Sequence, residues 1–594
     1  MDLKIENILI RVRAQLNEDQ VKLWLPPYYG TNNSSSSEAE IQILAQNYAK
    51  LLNIDMEHCL VAIKELQNHA LEKMKERDSF KATGVATLKV RVPGQAGGTI
   101  LSTIKISLNA LGSDLKEAVA QQISSVPSRL KLICNGRVLK DETSLESQSV
   151  KNGTQLMAVV LYENIQNFQN EEKDQKTLET TRKDLSVLLQ TNQDHNQYLQ
   201  VEDQSGNTLN LPLAEKKALV TAMTLHEKGR AALKKEDYSL ALIMFLEADN
   251  EFNRCNSKIL ASVDNYALLN LDIAWCYLCL RSVGQIPDAE NRLKKCEENF
   301  HLSYGANLER LIALKGTSGN EAALFMRLHL LQGIVMFHQN RREEAQHLLE
   351  RAEKELQSLK VDDVSLSALV ELGYSPAEGR LGLRATHGNV NAAADYITRN
   401  REERAESRKK AIENEVLTRA RKKLGKCADG KQWIEPSLLN MLLEMGFPKE
   451  AARQALAQSN NILSQSVQLI QENPELLEAA MASTSNKVGI TQSLIDQIVA
   501  VGFDPRMAKI ALKKHNGVIE KAIEELVLTG GVIEGEYSSD ADDDDSNDPL
   551  AETRRREAFN RIVEDLSMVD DDHLDLTLIQ EEIFLNQYKT LLEQ

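Results

Sequence analysis

Lys131-Leu-Ile-Cys-Asn-Gly-Arg-Val-Leu-Lys-Asp141 decides how the first third of this 594-residue chain is read. Leu130 to Ile133 is a short apolar strand pattern, and Asn135-Gly136 closes it with a turn for which glycine has the needed backbone freedom. Upstream, Leu88-Lys-Val-Arg-Val92 and Ile100 to Ser107 alternate as strands. Asp114 to Ile123 is helical, with Ser113 placed to cap it, and Leu156 to Leu161 forms a last strand. The order is strand, strand, helix, strand, strand.

Residues 85–162 therefore resemble a ubiquitin-like domain, a β-grasp. After the Gly turn, Leu139-Lys-Asp141, Thr143, Leu145 and Gly153-Thr-Gln-Leu156 follow at the family's spacing. The resemblance implies that Ile133 and Val159 belong to an exposed apolar patch that docks on proteasomal receptors. No Gly-Gly ends the domain and about 430 residues follow, so it is read as built in rather than as a modifier awaiting conjugation.

The second half carries a threefold repeat. Leu372-Gly-Tyr374, Met445-Gly-Phe447 and Val501-Gly-Phe503 align on the aromatic. The same columns then hold Leu383, Leu456 and Leu512; Gly388, Asn461 and Gly517; and Ile397, Ile470 and Leu526. Each copy reads as three short helices: 362–401, 435–474 and 491–530. These segments resemble ubiquitin-associated domains. A bundle this small cannot cover all its apolar surface, which leaves a patch for partners. By the resemblance, the modifier-binding patches are Leu372, Gly373, Tyr374 and Ile397; Met445, Gly446, Phe447 and Ile470; and Val501, Gly502, Phe503 and Leu526. The middle copy departs most, with Ser466 where the others have Ala393 and Ala522, and Asn461 in place of glycine.

Residues 1–80 read as a helical region broken at Pro26-Pro27 and at Asn32 to Ser37, and 163–212 as a helical linker. Residues 213–360 are strongly helical, with Gly229, Ala241, Phe245 and Ala248 in the steps of a tetratricopeptide hairpin. Gly333, Ala345, Leu349 and Ala352 repeat those steps, and Tyr277, Ala289, Leu293 and Cys296 imitate them. The repeat separation departs from the usual period, so the region is expected to be a degenerate helical repeat. Residues 402–431 form a basic linker, and 534–594 an acidic tail ending in an amphipathic helix. That tail carries 19 acidic and 5 basic side chains, most of the net charge of −17. Its helix is expected either to dock on a partner or to fold back on the body.

Two basic clusters, Arg408-Lys409-Lys410 and Arg419, Arg421, Lys422 and Lys423, have the form of a bipartite nuclear import signal, which predicts a nuclear protein with a cytoplasmic pool. A charged solvated helix is the other reading. The overall acidity and the lack of interleaved aromatics argue against nucleic-acid binding. The longest apolar run, Leu271 to Leu280, is too short for a bilayer span. Seven scattered cysteines suggest a reducing compartment. Cys276-x-x-Cys279 has no second pair, so no zinc site is expected. No phosphate loop, cofactor motif or catalytic constellation is found, and an enzyme is not expected.

The fold class is thus multidomain and mainly α: one β-grasp ubiquitin-like domain, a helical-repeat region and three small three-helix ubiquitin-associated bundles. Together with Leu23-Trp-Leu-Pro-Pro-Tyr28 and Asp575-Leu-Thr-Leu-Ile-Gln-Glu-Glu582, this order resembles the negative regulators of ubiquitin-like proteins, the "ultimate buster" adaptors of the neddylation pathway. The resemblance implies a non-catalytic adaptor. It would bind the neddylation modifier, the HLA-F-adjacent modifier and their conjugates, and deliver them to the 26S proteasome. A generic polyubiquitin shuttle and a thiol enzyme of the ubiquitin pathway are the alternatives.

Overall fold

The computed structural model describes, apart from residues 124 and 431, residues 3–30, 34–93, 99–160, 212–255, 265–305, 320–473 and 574–593, with parts of 180–184, 309–312, 492–528 and 557–561. The chain forms two compact units, residues 1–398 with 546–594, and residues 399–545.

The first unit opens with three helices, α1 (Leu3–Glu18), α2 (Ser34–Leu52) and α3 (Met56–Thr83). Val12, Leu16, Ile41, Ala45, Tyr48 and Ile63 interdigitate as their core. The serines read as part of a loop instead open α2, a place that suits residues able to satisfy free backbone N–H groups. Asp55 caps α3 by accepting from the Glu57 and His58 amides, and Gly84 ends it.

Strands β1 (Val85–Pro93) and β2 (Thr99–Ser107), helix α4 (Gly112–Gln122), and strands β3 (Leu130–Cys134), β4 (Arg137–Val138) and β5 (Gln155–Val160) follow. The sheet order is β2-β1-β5-β3-β4, with β1 parallel to β5 and the other pairs antiparallel. Leu88, Val90, Leu115, Val119, Leu130, Leu132 and Leu156 fill the space between sheet and helix. The two-residue β4 was not anticipated. Nor does Ser113 cap α4: Leu111 stands at that position, and its amide donates to the Asp114 carboxylate.

Six helices pair as hairpins: α5 (Leu213–Lys234) with α6 (Tyr238–Phe252), α7 (Asn265–Cys279) with α8 (Ile286–Tyr304), and α9 (Ala322–His338) with α10 (Arg342–Leu359). A Cβ on Gly229 would lie 2.5 Å from the Phe245 ring, and one on Gly333 would lie 2.9 Å from Leu349. The Gly229–Phe245 and Gly333–Leu349 pairs inferred from spacing are therefore tight contacts between paired helices. Helices α7 and α9 are buried on nearly every side, which is why their sequences lack an apolar stripe.

Two short helices and a long one follow: α11 (Asp363–Glu371), α12 (Pro376–Ala385) and α13 (Val390–Leu424). Residues 402–424, read as a linker, thus continue the third helix of the first bundle without a break. The second unit contains α14 (Pro436–Glu444), α15 (Lys449–Gln458) and α16 (Leu463–Glu472), then α17 (Gln492–Ala500) and α18 (Ile519–Leu528). A final helix, α19 (Ile579–Glu593), belongs to the first unit. The segment 163–212 lies outside the described residues except for parts of 180–184. No helix among the described residues is long and apolar enough to cross a membrane.

Candidate modifier-binding turns and the buried β-grasp patch

The first two bundles turn sharply after their first helices. Gly373 and Gly446 take φ of +90° and +92°, a conformation that strains any residue with a Cβ. The turn throws the preceding side chain outward: Leu372 is 65% exposed, Met445 58% and Val501 58%. Tyr374, Phe447 and Phe503 are half-buried behind them against the bundle cores, and the Tyr374 hydroxyl lies 3.0 Å from that of Thr398. Gly502 lies outside the described residues.

The third-helix positions need correction. Ile397, Ile470 and Leu526 are buried, Ile397 in one core with Leu369 and Leu526 in another with Ile498, so their side chains are turned away from any partner. In the third bundle, the residues just after Leu526 are the open ones: Val527 is 63% exposed and Leu528 80%. Helical spacing contained this signal, because Ile519, Ala522, Ile523 and Leu526 recur on one face and consign the next two residues to the other.

The middle bundle's two departures have structural causes. Asn461, at φ +62°, accepts from the Glu435 amide at 3.0 Å and donates to the Trp433 carbonyl at 2.8 Å. It thereby ties the incoming chain to the helix turn, which glycine could not do. The Ser466 hydroxyl is buried but satisfied, 2.6 Å from the Ser459 hydroxyl and 3.0 Å from the Ile462 carbonyl.

Ile133 and Val159 also overturn their expected placement. Both are completely buried, and not in the β-grasp core: with Met157 they join the core of the helical hairpins. Strand β5 is covered on both faces, Leu156, Ala158 and Val160 toward α4, and Met157 and Val159 toward the helices. The Ser282 hydroxyl meets the Met157 sulfur at 3.4 Å. At the β3–β4 turn, Arg292 donates from Nη2 to the Gly136 carbonyl at 3.2 Å. The same Nη2 also reaches Asp249 at 3.1 Å, while Nε donates to Asp288 at 2.6 Å and Nη1 to Asn270 at 3.2 Å. Burial opposes the Arg292 charge, but Asp249, Tyr277 and Asp288 outweigh it and hold its pKa above the ordinary value. A Cβ at residue 136 would fall 2.3 Å from the Asp288 carboxylate, so Gly136 serves this contact as well as the turn.

The C-terminal helix is folded back rather than free. Leu585, Tyr588 and Leu591 of α19 lie in the hairpin core, and Phe584 meets the Trp275 ring edge-on at 5.7 Å. Glu581 is buried and accepts from Arg327 Nε at 2.9 Å, while the Arg327 guanidinium stacks 4.4 Å from the Trp275 ring centre. The segment before α19 clamps the back of the first bundle: Asp575 accepts both Arg380 donors, at 2.7 and 2.6 Å, and Arg384 donates to the Leu576 carbonyl at 2.5 Å. Leu372 stays exposed beside this clamp.

In the basic stretch, Lys409, Lys410 and Lys423 are exposed on α13, whereas Arg421 forms a double hydrogen bond to Glu435 at 2.8 and 2.9 Å. The side chains of Arg408, Arg419 and Lys422 lie outside the described residues. Burial pushes the Cys276 and Cys296 thiols well up and Cys279 to about 12, the reverse of what a nucleophilic thiolate needs. Among the described residues, no cluster of His, Cys, Asp or Glu could hold a metal ion.

Comparison with known proteins bears on these sites. Residues 85–161 match the NUB1 ubiquitin-like domain, 361–397 the UBA/TS-N domain and 435–476 a UBA-like domain. A Homo sapiens protein, NEDD8 ultimate buster 1, is 31% identical over 611 residues, spanning 97% of this chain and 96% of its own length. Its Mus musculus counterpart is 32% identical over 614 residues, with the same coverage of 97% and 96%. Among solved structures, Caldiarchaeum subterraneum ubiquitin is 22% identical, covers 14% of this chain and 100% of its own, and has a TM-score of 0.12.

Proposed function

This chain belongs to the NEDD8 ultimate buster 1 family, and from that premise we propose that it is a non-catalytic adaptor for ubiquitin-like modifiers. The observation that carries the reading is the trio of outward apolar residues, Leu372, Met445 and Val501, each standing just after a first helix and, for Leu372 and Met445, just before a glycine at positive φ. A single such patch binds weakly. Several patches on one chain, at mM-scale effective concentration, hold a conjugate far longer than any one of them. The cargo is the neddylation modifier, the HLA-F-adjacent modifier and their conjugates, and its destination is the 26S proteasome. The deeply buried thiols favour an adaptor over a thiol enzyme.

Proteasome docking is assigned to Ile133 and Val159 of the β-grasp domain. Because the hairpin helices cover both, docking requires that domain to leave them. The adaptor is therefore closed at rest, with cargo turns open and the docking patch shut. The exposed lysines of α13 support nuclear import with a cytoplasmic pool, read by localising a tagged chain carrying Lys409→Ala, Lys410→Ala and Lys423→Ala.

The deciding experiment is a pull-down of each purified modifier, of ubiquitin chains and of 26S proteasome by the intact chain. Triple substitution of Leu372, Met445 and Val501 by Asp should abolish modifier capture. Capture undiminished by the triple substitution overturns the assignment of the turns, and preference for ubiquitin chains makes the protein a generic shuttle.

A further inference from the structure

We propose that the cavity enclosed by α1, β1, the α7–α8 hairpin, α9 and α19 binds one small amphipathic monoanion, an apolar chain ending in a carboxylate. The cavity opens to solvent at one side and, counted with that open mouth, encloses about 870 Å³ of space. Its floor is apolar, formed by Leu278, Ala289, Leu293, Ile334, Val335 and Phe584. Its charged groups are few: Arg91 and Arg281, with Glu6 as the sole carboxylate.

The charge and the hydrogen bonding select the ligand. Two guanidiniums face one carboxylate, so the lining carries a net positive charge above an apolar floor. A cation would be repelled by the excess, a polar dianion would waste the floor, and a neutral hydrocarbon would leave the charge unanswered. A single carboxylate on an apolar chain satisfies both. His338, whose side chain is 6% exposed, adds the second requirement. Its Nε2 lies 3.0 Å from the Tyr588 hydroxyl, but its Nδ1 makes no hydrogen bond, with the Glu6 carboxylate at 3.6 Å as its nearest charged neighbour. Buried polar atoms are rarely left so, and an oxygen of a bound headgroup would supply the missing partner. The site draws on the N-terminal helix, the β-grasp domain, two hairpins and the C-terminal helix, so its occupant would hold the ends of the unit together. It lies apart from the Gly turns, and modifier capture is a separate readout.

The test uses the full-length chain with decanoate as the probe and decanol as its uncharged control, followed by titration calorimetry and by the melting temperature. One decanoate per chain should bind saturably and raise Tm, with decanol at least tenfold weaker. Arg281→Gln, an exposed change that the fold should tolerate, should weaken decanoate at least fivefold and leave decanol unaltered. Ile334→Trp, which fills the floor, should abolish both. Absence of saturable binding, equal affinity for acid and alcohol, or indifference to Arg281→Gln would each overturn the proposal. The Arg281 variant keeps the test valid if Ile334→Trp fails to fold.

Discussion

Arg292 and Gly136 stand 156 residues apart, and the guanidinium of one donates to the carbonyl of the other at 3.2 Å. This bond joins the turn of the β-grasp sheet to the helical hairpins whose shared core takes in Ile133 and Val159. Arg292→Ala strands Asp249 and Asp288 in a buried site, a change that costs about 3–5 kcal/mol in comparable cases. The expected outcome is a released β-grasp domain: faster amide exchange in β3 and β5, and stronger proteasome capture than by the unaltered chain. Weaker capture with unchanged exchange would mean that the covered patch is not the docking surface.

Arg327 and Glu581 make the parallel prediction for the other end of the chain. Glu581→Ala removes the carboxylate that balances a buried arginine; Asp272, at 3.9 Å, remains too distant to replace it. Loss of about 3–5 kcal/mol is expected in denaturant unfolding, with α19 becoming the first site of proteolysis. Ile579→Ala, on the exposed side of the same helix, should change stability by less than about 0.5 kcal/mol. Equal effects of the two substitutions would show that α19 is held by its apolar face alone.

What the sequence made legible follows from how local each signal is. Gly136, Gly373 and Gly446 each serve a turn defined by a few neighbouring residues, and the spacing read them correctly. Gly229 and Phe245 likewise meet within one hairpin. Ile133 and Val159 were misplaced because their cover comes from helices outside the β-grasp domain, far along the chain. A strand buried on one face by its own domain and on the other by a neighbour reads as an ordinary apolar strand. The same limit hid the fate of α19: its amphipathic face fits a partner and its own body equally well. Ile397, Ile470 and Leu526 failed differently, since helical spacing alone assigns them to the core.

That last correction separates two classes of substitution in the bundles. Leu372→Asp, Met445→Asp and Val501→Asp alter exposed turn residues, so each should leave stability within about 0.5 kcal/mol while weakening modifier capture by ~1–2 kcal/mol at its own bundle. Ile470→Asp instead buries a carboxylate in the middle bundle and should melt it, with capture lost only as a consequence. Circular dichroism beside the binding titration distinguishes them. If Ile470→Asp loses capture with full helicity, the third-helix position is part of the binding surface after all.

His338 predicts how stability responds to acid. Burial lowers its pKa from 6.5 to about 4, so the unfolded chain takes up a proton over a range where the folded chain does not. Stability is therefore lost as pH falls from about 6.5 toward 4, by as much as about 3 kcal/mol for a shift of this size. Glu6, facing it from α1, works the other way: burial raises its pKa, so the folded chain gains a proton there earlier than the unfolded chain and partly offsets the loss. The Arg91 guanidinium, on β1, remains charged and the Tyr588 phenol, its pKa raised by burial, remains neutral throughout. His338→Gln removes the destabilising titration and leaves the compensating one. Its unfolding free energy, measured between pH 6.5 and 4 in denaturant, should fall less steeply than that of the unaltered chain, and parallel curves would mean that His338 is protonated alike in the folded and unfolded states.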